Sequence, residues 1–382
     1  MQTSDILIAE PGQADDEVSW TAREIAQQPS TLRDTQALLV AEDPRIAAFL
    51  TPLLAQEGLR IVLTGAGTSA FIGESLAPWL SLSMGRSVEA IPTTDIVSSP
   101  RLTLRRDAPT LLVSFGRSGS SPESIAAVDL ADACIDQVHH LVITCNAEGE
   151  LARRDSANAC VLILPEATHD RGFAMTSSFS AMMYAALAIF TGSAGMDERA
   201  AAIASGVEAI HAPADDMAAQ IAGREFARVV YLGSGVFKGL AREAALKLLE
   251  LSDGALVTAF DTTLGFRHGP KTIVNDRTLI VVFVSNDPLT RRYDLDMLEE
   301  LRSDGRAGAV ITVAARALEG EGLHVEGMDD AADVDLLFPY IVPAQLIGLH
   351  VSLALSLTPD RPNVSGTVSR VVQGVRIHPL MA

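Results

Sequence analysis

The 382-residue chain has little basic charge, few aromatic side chains and few cysteines. Its 29 Lys and Arg face 48 Asp and Glu, a net charge of −19, which argues against nucleic acid and anionic membranes as partners because both need a basic face. Aromatic residues make up only 5% of the chain, so Ala, Leu, Val and Ile must fill the core. Cys134, Cys145 and Cys160 indicate small core residues of a reducing cytoplasm rather than disulfides.

Membrane, secretion and metal-binding signals are also missing. No uninterrupted apolar run reaches the ~18 residues that a bilayer span needs, and the opening segment MQTSDILIAEPGQADDE lacks the basic and apolar regions of a signal peptide. No group of His, Cys, Asp and Glu has the spacing of a metal site, and the G-x-S-x-G motif of serine hydrolases is absent. These features predict a cytoplasmic protein that uses neither a metal nor another cofactor and has no membrane partner.

What the chain does contain is a regular alternation of short β-branched runs with Ala- and Leu-rich stretches, which predicts parallel sheets flanked by helices. The predicted strands form two groups of five, beginning near Ile61, Val88, Leu111, Leu141 and Val161 and near Val229, Leu256, Leu279, Ala309 and Val334. Corresponding strands lie 168 residues apart in four cases and 173 in the fifth. This rhythm favours an internal duplication over one long sheet, because twisted open sheets rarely exceed ~10 strands.

Composition and pattern predict five parts of the chain. They are an N-terminal arm (1–45), a first domain (46–196), a linking helix (197–223), a second domain (224–357) and a C-terminal tail (358–382).

In each half the first strand leads into a glycine turn and then a helix. The two turns are Gly65-Ala-Gly67-Thr68-Ser69 and Gly233-Ser234-Gly235. Ala70 and Lys238 stand where the third glycine of G-x-G-x-x-G belongs, so a nicotinamide site is disfavoured. A ligand-binding turn and a plain tight turn both fit this pattern.

The third strand of the first half opens into the serine-rich turn Gly116-Arg-Ser-Gly-Ser-Ser-Pro-Glu-Ser124. The hydroxyls of Ser118, Ser120 and Ser121, with the backbone N–H groups of the helix that follows, suit a phosphate monoester, although a serine loop that merely caps a helix has the same pattern. The G-K-[ST] ending of a nucleotide-triphosphate loop is absent. The equivalent segment 284–288 of the second half has an acid and little glycine, and we expect it to repel phosphate.

A charged stripe crosses an otherwise apolar predicted helix of the second half. Glu243, Lys247 and Glu250 fall on one face, which fits either a surface salt-bridge stripe or a carboxylate base beside a lysine. His268 follows on a loop, because Pro270 prevents a helix there. It is either a solvated histidine or a functional one.

These motifs together resemble a known family. The segments TGAGTSAFIGESLAPWL, SFGRSGSSPES, THDRGFAMTSS, REAALKLLEL, GFRHGPK and SGTVSRVVQGVRIHP are similar to tandem sugar isomerase (SIS) domains, which also form the isomerase half of glutamine–fructose-6-phosphate aminotransferase. They are most similar to bacterial proteins known as tagatose-6-phosphate ketose/aldose isomerase or galactosamine-6-phosphate deaminase/isomerase. The resemblance implies two flavodoxin-like α/β domains.

The resemblance also implies a reaction. Galactosamine 6-phosphate would become tagatose 6-phosphate and ammonia through an enediol or enolamine, which would class the enzyme as both isomerase and hydrolase. The alternatives are an aldose–ketose isomerase of a hexose 6-phosphate that releases no ammonia, and a sensor that binds a sugar phosphate without turnover.

Residue roles follow from the same resemblance. Glu250 would move a proton between C1 and C2, Lys247 would assist, and His268 would open the sugar ring from a neighbouring subunit, which implies a homodimer or a larger assembly. Arg370 would replace a lysine that the aminotransferase carries in its tail. The implied substrate-binding residues are Thr68, Ser69, Arg117, Ser118, Ser120, Ser121, Thr176 and Ser177.

Overall fold

A computed structural model describes residues 18–154, 156–372 and 374–380. The strands in this part of the chain are β1 (Arg60–Thr64), β2 (Val88–Ala90), β3 (Thr110–Gly116), β4 (Val138–Thr144), β5 (Ala159–Ile163), β6 (Arg228–Gly233), β7 (Val257–Asp261), β8 (Thr278–Val284), β9 (Ala309–Ala314) and β10 (Gly322–His324). The helices are α1 (Trp20–Ala26), α2 (Gln28–Leu54), α3 (Thr68–Met84), α4 (Thr93–Ser98), α5 (Pro100–Thr103), α6 (Pro122–Cys134), α7 (Ser177–Thr191), α8 (Asp197–Ala222), α9 (Phe237–Leu251), α10 (Thr263–Phe266), α11 (Pro288–Asp304) and α12 (Asp333–Ala354).

The strands form two parallel five-stranded sheets. The order is β2-β1-β3-β4-β5 in the first sheet and β10-β9-β8-β6-β7 in the second, which is the same order when each strand is matched with its counterpart in the other half. The predicted α/β fold with two five-stranded parallel sheets is therefore confirmed. In this strand order ligands bind at the carboxyl ends of the central strands, where the connections diverge to opposite sides.

The predicted tenth strand near Val334 is wrong. Val334 lies in the first turn of α12, and the last strand of the second sheet is the short segment Gly322–His324. A short apolar run fits a buried helix as well as a buried strand, and here the apolar character continues for the length of a helix.

Helix α12 is long and apolar enough to cross a membrane by length and composition. Of its most apolar window, 89% is buried within this chain, where α12 packs against α8 and α9. This burial shows that α12 is a core helix of the chain.

The segment expected to form an N-terminal arm reaches the core where it is described. Ile25, Leu32 and Leu39 are fully buried. Gln28 donates a 2.8 Å hydrogen bond from its side-chain amide to Gln345 of α12. Residues 1–17 of the expected arm lie outside the described part of the chain.

Helices α3 and α9 follow the two glycine turns and pack against each other. Gly239 permits this contact, because a Cβ atom there would lie 2.5 Å from Ser75 Oγ and 2.6 Å from Ser75 N. The close crossing brings the first turn of α3 to the charged face of α9.

We expect Gly239→Ala to destabilise the protein by about 1–3 kcal/mol, because the added methyl group must push the two helices apart. Denaturant unfolding of the purified protein measures the change. Gly223→Ala is the matched control, since a Cβ atom there would come no closer than 3.6 Å to its neighbours. Equal stabilities of the two variants would contradict the packing role of Gly239.

Candidate active site

The first wall of the site is the start of α3. The chain leaves β1, turns through Gly67 with a φ of +56°, and enters the helix at Thr68. A φ in this range suits glycine, which has no Cβ atom to clash. Thr68 and Ser69 occupy the first helical turn and are buried.

The serine-rich turn after β3 forms the second wall. Gly119 has a φ of +61°, and Ser121 caps α6 by accepting the N–H of Ser124 at 3.4 Å. The Ser121 hydroxyl donates to Ser124 Oγ at 2.6 Å. A cavity of about 110 Å³ lies over this turn, lined among others by Ser69, Arg117, Ser118, Ser121, Ser124 and Arg370. Hydroxyls and a helix N-terminus around a small cavity suit an oxyanion such as phosphate.

Ser120 does not line this cavity. Its hydroxyl accepts the N–H of Glu150 at 3.1 Å, so the side chain faces the loop that follows β4. Of the three serines predicted to bind phosphate, the structure brings Ser118 and Ser121 to the cavity and turns Ser120 away from it.

The charged stripe of α9 lies against the start of α3 rather than in solvent. The Lys247 ammonium is fully buried and lies 2.6 Å from Glu250 Oε2, 3.3 Å from Glu243 Oε1 and 3.0 Å from Thr68 Oγ1. The Thr68 hydroxyl in turn donates to Glu243 at 3.2 Å. The interpretation as a surface salt-bridge stripe is therefore wrong, and one lysine joins the two halves of the chain.

Burial and charge set the protonation of this cluster. Burial raises the pKa of Glu243 to about 7, although the nearby Lys247 ammonium acts in the opposite direction. Burial alone would lower the pKa of Lys247, but the charges of Glu243 and Glu250 outweigh it and the pKa is raised. Lys247 therefore stays protonated. The Glu250 side chain is 24% exposed, which leaves it open to a substrate.

The α9 cluster and the serine cavity are neighbours. Arg117 is buried, and its pKa is lowered first by burial and then by Arg370, while Asp170 and Glu250 act in the opposite direction. Lys247 bonds Thr68, and the adjacent residue Ser69 lines the cavity. Burial first, and then the charge of Arg117, act against the raised pKa of Lys247. A carboxylate and an ammonium thus lie beside the cavity that suits a phosphate.

Arg117 acts as a structural clamp. Its guanidinium donates to the backbone carbonyls of Gly172 at 3.3 Å, Phe173 at 3.0 Å and Arg370 at 2.8 Å. Arg370 donates to the backbone carbonyl of Asp170. These bonds hold the serine-rich turn, the loop before α7 and the C-terminal tail together around the cavity.

Thr176 and Ser177 are not brought to the cavity. Both are fully buried, and the Asp170 carboxylate accepts hydrogen bonds from Thr176 N at 2.7 Å, Ser177 Oγ at 2.5 Å and Ser178 N at 2.9 Å. Met175, one residue earlier, lines the cavity instead. The two hydroxyl residues predicted to bind substrate therefore orient Asp170 at the start of α7.

His268 lies on an exposed turn between α10 and a 3₁₀ turn at Pro270–Ile273, and it does not line the cavity of its own chain. Its neighbours fix the turn, because Arg267 lies 2.7 Å from Glu300 and Lys271 lies 2.5 Å from Asp304. Across the described ranges, no three His, Cys, Asp or Glu side chains come together as metal ligands would.

Comparison with known proteins assigns a family to this geometry. A model of the SIS domain matches residues 53–192. D-galactosamine-6-phosphate deaminase AgaS of Escherichia coli is 46% identical over 371 residues, which cover 95% of this chain and 97% of that protein. The chain belongs to the SIS-domain family.

Two further SIS-family relatives match over nearly the whole chain. D-galactosamine-6-phosphate deaminase AgaS of a Shewanella species is 44% identical and covers 95% of this chain and 92% of that protein. The crystal structure of tagatose-6-phosphate ketose/aldose isomerase from Escherichia coli has a TM-score of 0.89 at 44% identity, covering 95% and 97% of the two chains. Because these relatives are named deaminase and isomerase, the expected additional class of hydrolase is wrong.

In the second half of the SIS chain, an internal carboxylate occupies the position that corresponds to the cavity. Asp294 is fully buried and accepts hydrogen bonds from Ser234 Oγ at 3.2 Å, Thr263 Oγ1 at 2.9 Å and the N–H of Ser285 at 3.0 Å. The glycine turn and the loop after β8 thus already hold a negative charge. This arrangement is consistent with the expected repulsion of phosphate by that half.

Sequence reasoning missed three residues of the candidate site. Ser124 closes the serine motif and lines the cavity, and its place in that motif was the available signal. Glu243 was seen in the stripe but was assigned no role, although burial of its carboxylate follows from an apolar helix. Asp170 organises the loop before α7, and although it lies in the quoted segment THDRGFAMTSS, no pattern there singles out its carboxylate.

The titration of Glu243 predicts how stability depends on pH. Because its pKa is raised in the folded protein, its stabilising contribution is complete at low pH and is lost as the pH rises through about 7. The free energy of unfolding of the wild type minus that of Glu243→Gln should fall by up to about 3 kcal/mol from acidic to mildly alkaline pH. Denaturant unfolding across this range checks the slope.

The exposed Glu326→Gln is the control for background effects of a removed carboxylate. A difference between wild type and Glu243→Gln that is constant with pH would show that Glu243 does not titrate in this range.

Proposed function

We propose that this protein converts galactosamine 6-phosphate into tagatose 6-phosphate and ammonia by acid–base catalysis without a cofactor. The observation that carries the proposal is the buried Lys247 ammonium, which bonds Glu250 and also Thr68, the neighbour of Ser69 in the serine-lined, phosphate-sized cavity. The names of relatives that are 44–46% identical along the whole chain support the same reaction.

The cavity binds the phosphate end of the sugar. Ser69, Ser118, Ser121 and Ser124 supply hydroxyl donors, and the N-terminus of α6 supplies a favourable dipole. Arg117 is a clamp for the surrounding backbone and adds positive charge nearby. Binding of the phosphate fixes the sugar so that its reducing-end carbons reach α9.

Glu250 transfers the proton. With the sugar open, its carboxylate removes the proton from C2 and the electrons form a C1–C2 double bond, which gives the enolamine. Return of the proton to C1 gives an imine at C2, and ammonia leaves as water adds and C2 becomes the ketone. The Lys247 ammonium stabilises the negative charge that develops on the sugar oxygen.

His268 acts from the partner subunit of a homodimer. Support comes from its exposure and from exposed apolar side chains on the neighbouring edge strand and helix, where Val257, Phe260 and Leu264 are 56%, 37% and 42% exposed. β7 is an edge strand of the second sheet. A second copy that covers this face would carry His268 toward the ring oxygen of the partner's substrate.

A second candidate function is aldose–ketose isomerisation without loss of ammonia. The crystallised Escherichia coli relative is named a tagatose-6-phosphate ketose/aldose isomerase, which favours this reaction. The same residues would act, with a hydroxyl at C2 in place of the amino group. We place either reaction in the cytoplasm, since all three cysteines are unpaired thiols, as in reducing compartments.

Replacement of the carboxylate separates an enzyme from a sensor. Glu250→Gln should lower kcat for galactosamine 6-phosphate at least ~100-fold, because the amide cannot take the C2 proton, while calorimetric binding of the sugar phosphate persists. Ammonia and ketose are assayed together, so ketose from a hexose 6-phosphate without ammonia would favour plain isomerisation. The exposed Glu299→Gln is the control. Binding with no turnover by the wild type would favour the sensor.

Mixing two inactive variants tests the position of His268. If His268 acts across a dimer, a mixture of Glu250→Gln and His268→Ala subunits contains dimers with one intact site. Random exchange then restores about a quarter of the wild-type activity. Subunits are mixed, exchanged in mild denaturant and assayed for ammonia. No recovery, with exchange verified by tagged subunits, would contradict action in trans.

A further inference from the structure

The N-terminal helix α1 contacts the loop that borders the cavity. The Glu24 side chain, only 3% exposed as a residue, points from α1 into the backbone of residues 170–173. Its Oε1 accepts the N–H of Arg171 at 2.5 Å, and its Oε2 accepts the N–H of Gly172 at 3.1 Å. One carboxylate therefore holds two consecutive peptide groups of the loop.

The contact between Glu24 and the loop leaves no room for a side chain at Gly172. A Cβ atom at Gly172 would lie 2.7 Å from Thr21 Oγ1 and 2.9 Å from Glu24 Oε2. The two chain segments therefore approach as closely as a glycine allows. Such an approach fixes the position of the loop backbone and not only that of its side chains.

The next two peptide units along the loop bind Arg117 through their carbonyl groups. The carbonyls of Gly172 and Phe173 accept hydrogen bonds from Arg117, which lines the cavity together with Ser118. Glu24 thus accepts two N–H groups of the loop, and Arg117 donates to the two carbonyl groups that follow them. Displacement of the loop would release two of the three carbonyls that orient Arg117.

Helix α1 is itself held by the chain after α12. Asp360 accepts the N–H groups of Trp20 at 2.9 Å and Thr21 at 2.8 Å, and it also accepts the Thr21 hydroxyl at 2.8 Å. Gln27 donates to the carbonyl of Ala167 and to Ser177 Oγ, both at 2.8 Å. The helix is therefore a fixed support for the loop.

We propose that Glu24 is a positioning residue for the sugar-phosphate site, which acts through the peptide groups of Arg171 and Gly172 on Arg117 and so sets the affinity for the phosphate end of the substrate. This inference rests on the proposed function, because it assigns the phosphate to the serine cavity.

The proposal makes substrate affinity depend on pH. Burial, followed by the charge of Asp170, raises the pKa of Glu24 to about 7, with a smaller contribution from Asp360. The N–H groups of Arg171 and Gly172 act in the opposite direction. Cations also lie near this contact. The Arg171 and Arg23 guanidinium groups lie over the Trp20 ring at 4.4 Å and 5.3 Å, and Arg117 and Arg370 bond carbonyls of the same loop. Above pH ~7 the carboxylate accepts both N–H groups strongly, and below it the neutral acid holds them weakly.

Glu24→Gln tests this dependence. At pH 8 we expect KM for galactosamine 6-phosphate to rise roughly 5-fold to 10-fold with kcat changed less than about 2-fold, since uniform binding is lost. At pH 6 the KM ratio of variant to wild type should approach 1, because wild-type Glu24 is then also neutral. Titration of the substrate phosphate is common to both proteins and cancels in the ratio.

Gly172→Ala disturbs the same contact from the loop and should raise KM at pH 8 in the same way. The double variant should show little more than the larger single effect, because both changes break one interaction. The exposed Glu198→Gln is the matched control and should leave KM unchanged at both pH values. Thermal unfolding verifies that each variant is folded. If Glu24→Gln does not fold, Gly172→Ala tests the same contact in its place.

The outcomes separate this proposal from the reaction. Binding of galactosamine 6-phosphate is also measured by calorimetry in a Glu250→Gln background, with and without Glu24→Gln. A pH-dependent loss of affinity without any ammonia release by the wild type supports the role of Glu24 and counts against the reaction. Ammonia release with a KM ratio that stays flat across pH, whatever its value, overturns the role of Glu24 and leaves the reaction standing.

Discussion

The buried ammonium of Lys247 is the contact on which the site depends. It reaches two carboxylates of its own helix and the hydroxyl of Thr68 from the other half of the chain. A charge buried this deeply is costly unless it is paired and hydrogen-bonded, and these three partners meet that need. The pairing therefore couples the packing of α3 on α9 to the orientation of Glu250.

The two sheets share a strand order but differ at the carboxyl ends of their central strands. The first sheet ends in a serine-lined cavity, whereas the second ends in a turn whose donors are already taken by Asp294. The second half instead contributes the charged face of α9. The two halves thus have similar frames, and they differ in whether an open cavity or an internal carboxylate lies at the end of the sheet.

The two ends of the described chain converge on the first half. Glu24 and Arg370 contact the same loop before α7 from opposite directions, and Arg117 joins that loop to the serine-rich turn. A cavity lined by short hydroxyl side chains has little rigidity of its own. Its shape follows from backbone segments that are held by buried, hydrogen-bonded charges.

Local sequence patterns were sufficient to predict much of the fold and several residues of the candidate site. The alternation of apolar runs predicted both sheets, and the serine-rich turn and the i, i+4, i+7 stripe marked Ser118, Ser121, Lys247 and Glu250, because turn chemistry and helical spacing are properties of neighbouring residues. The same reasoning failed at Val334, where an apolar run suits a helix or a strand equally well.

Only the tertiary structure decided which polar groups face each other. Thr176 and Ser177 serve Asp170 rather than the cavity, Lys247 pairs with Thr68 some 180 residues away, and Glu24 reaches a loop far along the chain. Such contacts depend on how helices cross after the sheets have formed. The sequence by itself therefore determined the elements and the kinds of groups at their ends, while the distances that make these groups a site arose from long-range packing.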